Sequence, residues 1–376
     1  MDYELLAGNT LCAKYKDGKL NIVNEKLAPM FITDFHKWVK SRAISENRGY
    51  VARLLRTSAE LPMQADAFDT AMKNNAACIT DNYWVRENGS NLKYKDVNCD
   101  SYNGEFAQLA LGVDTDLRNY SSSKNPELTN IGNSNKAWVV KGNRWLYKRQ
   151  PLNECYNEIL ASKVAQKLGI NTVKYELVSA TEPDPMKGRW GLIRSKDFTQ
   201  GKNINLEHAN LILEHYNTNE NDISKNVEIF QKYGCEKEYL DIKYLDIVVG
   251  NGDRHSRNYG VLRSQESGEV IGLAPNYDNN FAFTRDLHIV SFTEVANQYG
   301  YKPPTLTEND VKELKEEMAS IGFDAENQLQ EVKSKQQYFS NEIYTHGEKY
   351  QGKVYVKPHI RNGHNVRGYW RNKRNV

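Results

Sequence analysis

NGDRHSRN, Asn251 to Asn258, followed by PNYDNN, Pro275 to Asn280, is the stretch on which the reading of this sequence turns. Asp253 and Asn258 stand five positions apart, and Asp278 follows Asn258 by twenty. Moving a phosphoryl group onto a hydroxyl calls for three oxygen-bearing groups. One carboxylate accepts or orients the proton of the attacking hydroxyl. A neutral amide oxygen ligates Mg²⁺ without adding charge, and a second carboxylate holds the metal that bridges the phosphates. Asp253, Asn258 and Asp278 can supply them if GVLRS and EVIGLAP form a hairpin between the two loops. Arg254 and His255, beside Asp253, would raise the positive potential where phosphate charge develops.

Upstream, KAWVVKGNRWLYKR reads as two β-rich runs joined by Lys141-Gly142-Asn143, whose glycine suits a tight turn. A helix is expected next, with Asn153 as N-cap, an apolar face of Tyr156, Leu160, Val164 and Leu168, and Gly169 at the C′ position. NTVKYELVSA and RWGLIRS read as further strands, and helices are expected to dominate from Leu206. Lys148 then lies on a strand and Glu158 on the following helix, ten residues later. Such a pair, ahead of an Asp-x4-Asn loop and a later Asp, has the order found in protein kinases, where the glutamate holds the lysine toward the α- and β-phosphates. Singly, each residue has a plain reading: a turn, an edge-strand charge, a solvated helix position. Five together in that order do not.

On these residues the sequence resembles the HipA-like serine/threonine kinases of bacteria, including the smaller CtkA-type members, over about Thr129 to Ser340. That family's loop N-x-D-x-H-x-x-N is matched by Asn251, Asp253, His255 and Asn258, and its metal motif by Ala274-Pro275-Asn276-Tyr277-Asp278. Glu158 stands eleven residues before Gly169-Ile170, as the family's helix has it. The resemblance implies Asp253 as catalytic base, with His255 touching phosphate or bracing the loop. It implies Asn258 and Asp278 as Mg²⁺ ligands, and Lys148, with Glu158, as the ATP phosphate contact. The nucleotide-covering loop would be TNIGNSNKAW, in which Asn133 and Ser134 are the candidate ATP contacts and Ser134 the candidate autophosphorylation site. That loop has one glycine, so it is not a glycine-rich cradle.

Composition sets the bounds. The chain has 376 residues, 39% hydrophobic, 11% aromatic and 26% charged, which suits two or three packed domains and excludes general disorder. No apolar run approaches the roughly 20 residues that span a bilayer, so no membrane partner is expected. The start MDYELLAGNTLCAKYKDGKL has no basic n-region and no apolar h-region, and the five scattered cysteines include no C-x-x-C. A cytoplasmic protein with reduced thiols is the expectation. The net charge of +2 is uneven: Lys349 to Val376 carries eight basic residues and no acid, leaving 42 basic and 48 acidic residues in the rest. Within this tail Val356–Asn362 recurs as Val366–Asn372, and its basic and aromatic residues, Tyr369 and Trp370 among them, suit an anionic partner as well as a solvated extension.

The expected architecture is α+β: a bilobal protein-kinase-like fold with an N-terminal α/β accessory domain and a basic C-terminal tail. The accessory domain spans 1–108, the N-lobe 109–198, the helical C-lobe 199–345 and the tail 346–376. In the accessory domain, LNIVNEKLAPMFI reads as strand, and TDFHKWVKSRAI, capped by Thr33 or Asp34, and ENRGYVARLLRTSAEL read as helices. The expected function is an ATP- and Mg²⁺-dependent serine/threonine protein kinase, toxin-like and autophosphorylating. Its partners would be a protein substrate, an antitoxin or regulator, and an anionic molecule (nucleic acid or acidic protein) at the tail. Two alternatives stand beside it: a lipid or small-alcohol kinase of phosphoinositide-kinase type, and a silent kinase-fold adapter that binds nucleic acid through the tail.

Overall fold

The first sheet buries both faces of one inner strand, Leu5 and Ala7 in one apolar cluster and Leu6 with Trp84 in another. Tyr3–Ala7 (β1), Thr10–Lys16 (β2), Lys19–Ile22 (β3) and Tyr83–Glu87 (β4) pair antiparallel in the order β3-β2-β1-β4. This computed structural model describes residues 2–114, 116–120, 124–181, 188–285, 289–350, 353–356, 359–361, 364–366 and 369–372. Of LNIVNEKLAPMFI only the first residues are strand; β3 ends at Ile22 and Pro29 follows in the connection. Helix Phe35–Ser41 buries Phe35, Trp38 and Val39 with the sheet, and Asp34 caps it by accepting the Lys37 amide. Gly49, at φ +54°, splits the second expected helix into a 3-10 turn, Glu46–Arg48, and a helix, Tyr50–Ser58. Val51, Leu54 and Leu55 of that helix share one apolar core with Phe106, Leu109, Leu128, Ala137 and Trp138.

That core reaches into the second sheet, Asn135–Lys141 (β5), Asn143–Pro151 (β6), Tyr175–Ala180 (β7) and Trp190–Lys196 (β8), ordered β5-β6-β8-β7. Gly142, at φ +73°, is the tip of the β5–β6 hairpin, and Lys136 pairs with Lys148 across it. The helix after β6 runs Leu152–Lys167, so Asn153 lies inside it and Pro151 holds the cap position. The strand feeds the helix directly, the Leu152 amide donating to the Arg189 carbonyl beside β8. Its end is a Schellman motif: Ile170 N–H bonds Ala165 O, Gly169 N–H bonds Gln166 O, and Gly169 has φ +70°.

The third sheet is Ile204–His208 (β9), Gly260–Ser264 (β10) and Val270–Leu273 (β11), ordered β11-β10-β9. The hairpin expected between the two loops is β10–β11. Leu206, expected to open the helical part, instead pairs with Leu262 as a central residue of β9. Helices 209–215, 223–231, 236–248, 289–298, 308–320 and 326–350 follow. Tyr239, Tyr244, Phe230, Phe292 and Phe339 bury one large core with Cys155, Ile159, Leu160 and Val164. In the tail, Lys353–Val356 (β12) pairs with Tyr369–Asn372 (β15), and His359–Arg361 (β13) with His364–Val366 (β14). Among the described residues no helix is long and apolar enough to cross a membrane.

Candidate active site

Strand β6 and the helix after it meet at a buried ion pair. Lys148 Nζ donates to Glu158 Oε1 at 2.7 Å, and on its other side to Asp278 Oδ1 at 2.8 Å. Glu158 is wholly buried, and its second oxygen accepts Gln150 Nε2 at 3.3 Å. Burial alone would discharge Lys148, but Asp278 and Glu158 outweigh it and hold the ammonium well above its usual range. Burial likewise works against the Asp278 carboxylate, yet Lys148 and Lys136 hold it below the usual carboxylate range. Asp278 sits at φ +65°, a left-handed conformation that aspartate tolerates better than most residues. The residue two before it anchors the turn, Asn276 exchanging backbone hydrogen bonds with Asn171 and Val173 ahead of β7.

The 251–258 loop is braced from beneath. Asn258 Nδ2 donates to the Asp253 carbonyl at 3.2 Å, and Asn251 Nδ2 reaches Asp246 and Asn279 at 3.3 Å each. Arg254, expected to face phosphate, is buried and turned the other way. Its guanidinium donates to Asp246 Oδ1 through Nε (3.0 Å) and Nη2 (2.9 Å), to Asn279 Oδ1 (2.6 Å), and to the carbonyls of Asn258 (2.9 Å) and Tyr277. One cation therefore ties the residue that ends the first loop to the residue before Asp278. Removing one partner of such a buried pair typically costs about 3–5 kcal/mol. Ser256 adds a tether, its amide and hydroxyl both donating to Glu220 Oε1 at 3.0 and 2.7 Å.

Both loops open onto a cavity of about 1260 Å³. Of the eight residues expected at the site, seven line it: Asn133, Ser134, Lys148, Asp253, His255, Asn258 and Asp278. Asp253 and His255 are exposed to it. Glu158 does not line it and lies behind Lys148, whose ammonium hydrogen bond it accepts. The Asn133 side chain is engaged on the N-terminal segment, its Oδ1 accepting Ser45 Oγ at 2.7 Å and Asn47 Nδ2 at 3.3 Å. Sequence reasoning missed Lys136, which lines the same wall across the hairpin from Lys148 and is pushed down to about 7 by burial and then by Arg48. It also missed His208, pushed down to about 3 by burial and then by Lys136; the Tyr277 hydroxyl lies 3.1 Å from its Nδ1. For Lys136 the hairpin turn was a usable signal; for His208 none was available.

The donor set fits magnesium, which takes oxygen ligands and keeps several waters and substrate phosphate oxygens. Asp278 offers a carboxylate. Asn258, whose Nδ2 is held by the Asp253 carbonyl, keeps its Oδ1 for a cation. Among the described residues no three His, Cys, Asp or Glu side chains cluster as a metal cage.

A family model described as the HipA-like C-terminal domain matches residues 111–338. Among solved structures the chain is similar to HipA of Shewanella oneidensis, solved with HipB and operator DNA. The identity is 13% and the TM-score 0.52, over 93% of this chain and 97% of that one. It is also similar to the Helicobacter pylori proinflammatory kinase CtkA, with 17% identity and a TM-score of 0.39 over 58% of this chain and 93% of that one. No curated protein matches it.

Proposed function

This chain belongs to the HipA-like C-terminal domain family, and from that premise we propose that it is an ATP- and Mg²⁺-dependent serine/threonine protein kinase. The observation that carries the reading is Lys148 Nζ held between Glu158 and Asp278, with Asp253 and Asn258 on the same cavity wall. In this reading residues 109–198 and 199–345 form the two lobes around the cavity, 1–108 are an accessory domain and 346–376 a basic tail.

The acceptor hydroxyl loses its proton to the exposed carboxylate of Asp253 as its oxygen bonds to the γ-phosphorus. The bond from that phosphorus to the β-phosphate oxygen breaks, and ADP leaves. Lys148, kept charged and aimed by Glu158, binds the phosphates; Lys136, its cross-strand partner, and His255 line the same cavity. Asp278 and Asn258 would hold Mg²⁺, which when bound neutralises phosphate charge. Arg254 keeps the two loops in one relation throughout. An antitoxin-type protein or DNA is the proposed partner class, by analogy with the complex in which the HipA neighbour was solved.

Incubation with γ-labelled ATP and Mg²⁺, followed by mass spectrometry, tests the reading. A phosphorylated serine or threonine on protein is expected. Label only in a small alcohol would favour the lipid-kinase type, and no transfer at all would overturn the assignment.

A further inference from the structure

The loop between Asn130 and Lys136 carries one glycine, so something outside it must hold its shape. Arg48 does so. Its Nη2 donates to the Asn130 carbonyl at 2.6 Å, Nε to Gly132 at 3.1 Å and Nη1 to Lys136 at 3.3 Å. Arg48 is 5% exposed and ends the 3-10 turn Glu46–Arg48; the buried Glu127 carboxylate acts on its charge from nearby, while its hydrogen bonds go to the loop. Three loop carbonyls meet its charge. On the same turn Ser45 and Asn47 hold the Asn133 side chain.

The two faces of this loop are therefore different. A peptide C=O and the next N–H point in opposite directions across the planar bond. With the Asn130 and Gly132 carbonyls on Arg48, the amides of Ile131 and Asn133 point away from it. The amides of Ile131 to Ser134 make no hydrogen bond among the described residues. Those four residues line the cavity, whereas Arg48 does not. Unpaired amides on the cavity side are what an anion requires.

We propose that Arg48 is the positioning residue of the nucleotide loop, turning its amides toward the triphosphate, so that the 45–48 turn of the N-terminal segment sets ATP affinity. This rests on the kinase reading above. A lysine at this place carries all its N–H donors on one nitrogen and cannot span three separate carbonyls as the guanidinium fork does.

The test uses the full chain: calorimetric titration with ATP-Mg²⁺, steady-state kinetics and melting of wild type, Arg48→Lys and Ser45→Ala. Arg48→Lys should weaken ATP-Mg²⁺ binding and raise KM for ATP by about tenfold, with kcat at saturating ATP within about twofold of wild type. Ser45→Ala, which removes one exposed contact, should move both in the same direction by about two- to threefold. A lowered melting temperature and kcat with unchanged KM would reduce Arg48 to a structural residue and overturn the proposal. If Arg48→Lys fails to fold, unchanged affinity in Ser45→Ala overturns it instead. A wild-type chain that binds no ATP-Mg²⁺ would sink the kinase reading itself, a result distinct from wild type and both variants binding alike.

Discussion

Lys136 carries its charge on unusual terms. Burial and then Arg48 push its ammonium down to about 7, Lys148 beside it adds to the push, and Asp278 and Glu158 oppose it. An anion bound between Lys136 and Lys148 favours the charged form, so binding should draw a proton onto Lys136. The sign follows from the direction of the shift. At pH 8 the free protein holds Lys136 mostly neutral and nucleotide binding takes up protons; at pH 6 the group is already charged and uptake vanishes. Calorimetry of ADP-Mg²⁺ binding in buffers of different ionisation enthalpy should show this uptake in wild type and lose it in Lys136→Met. Equal uptake in the two proteins would put the proton elsewhere. Lys136 was legible yet unread: a hairpin turning at Gly142 pairs 136 with 148, and cross-strand partners share a face. Arg254 was not legible. Adjacency to Asp253 says nothing of side-chain direction in a turn, and its partners Asp246 and Asn279 come together only in the fold.

Among the elements, those with strong local signals follow the sequence reading. The β5–β6 hairpin has its glycine at the tip, and the helix after it ends at Gly169 where the C′ signal stands. Element starts and short strands follow it less well. Strand β9 is only five residues, and what makes it a strand is pairing with β10, fifty residues on. The tail shows the same effect, since β12 pairs with β15 and not with a sequence neighbour. The loop before β5 carries its own prediction. Ser134 lines the cavity with Lys148, and a phosphate there adds a charge of about −1.5 to −2 where ATP phosphates would lie. Prolonged incubation with ATP-Mg²⁺ should therefore place phosphate on Ser134, and activity should decay with it, while Ser134→Ala keeps its rate over the same time course. Phosphopeptides confined to other residues would contradict this.

On the scale of the molecule, the likeness in fold to HipA runs over 93% of the chain, well beyond the residues the family model matches. Residues 1–110 lie outside the family match, and over an alignment at 13% identity the likeness there is one of fold. Their core is continuous with β5, and their 45–48 turn grips the 130–136 loop, so the candidate site is built from distant parts of the chain. From Lys349 onward the basic tail has no aspartate or glutamate. A chain ending at Glu348 should keep its turnover on a generic acceptor and lose only salt-sensitive binding to nucleic acid or an acidic protein. That attraction should fade as the Debye length falls from about 10 Å at 0.1 M to about 3 Å at 1 M salt. Filter binding across that range checks it, and a large loss of turnover would show the tail to be part of the catalytic body. The most direct test of the whole account is the rate of phosphoryl transfer by Asp253→Ala at saturating ATP-Mg²⁺, measured beside its nucleotide affinity. The expected result is a fall in rate of at least about hundredfold with affinity kept within about twofold, since Asp253 acts on the hydroxyl and not on the nucleotide. Transfer at the wild-type rate would contradict it.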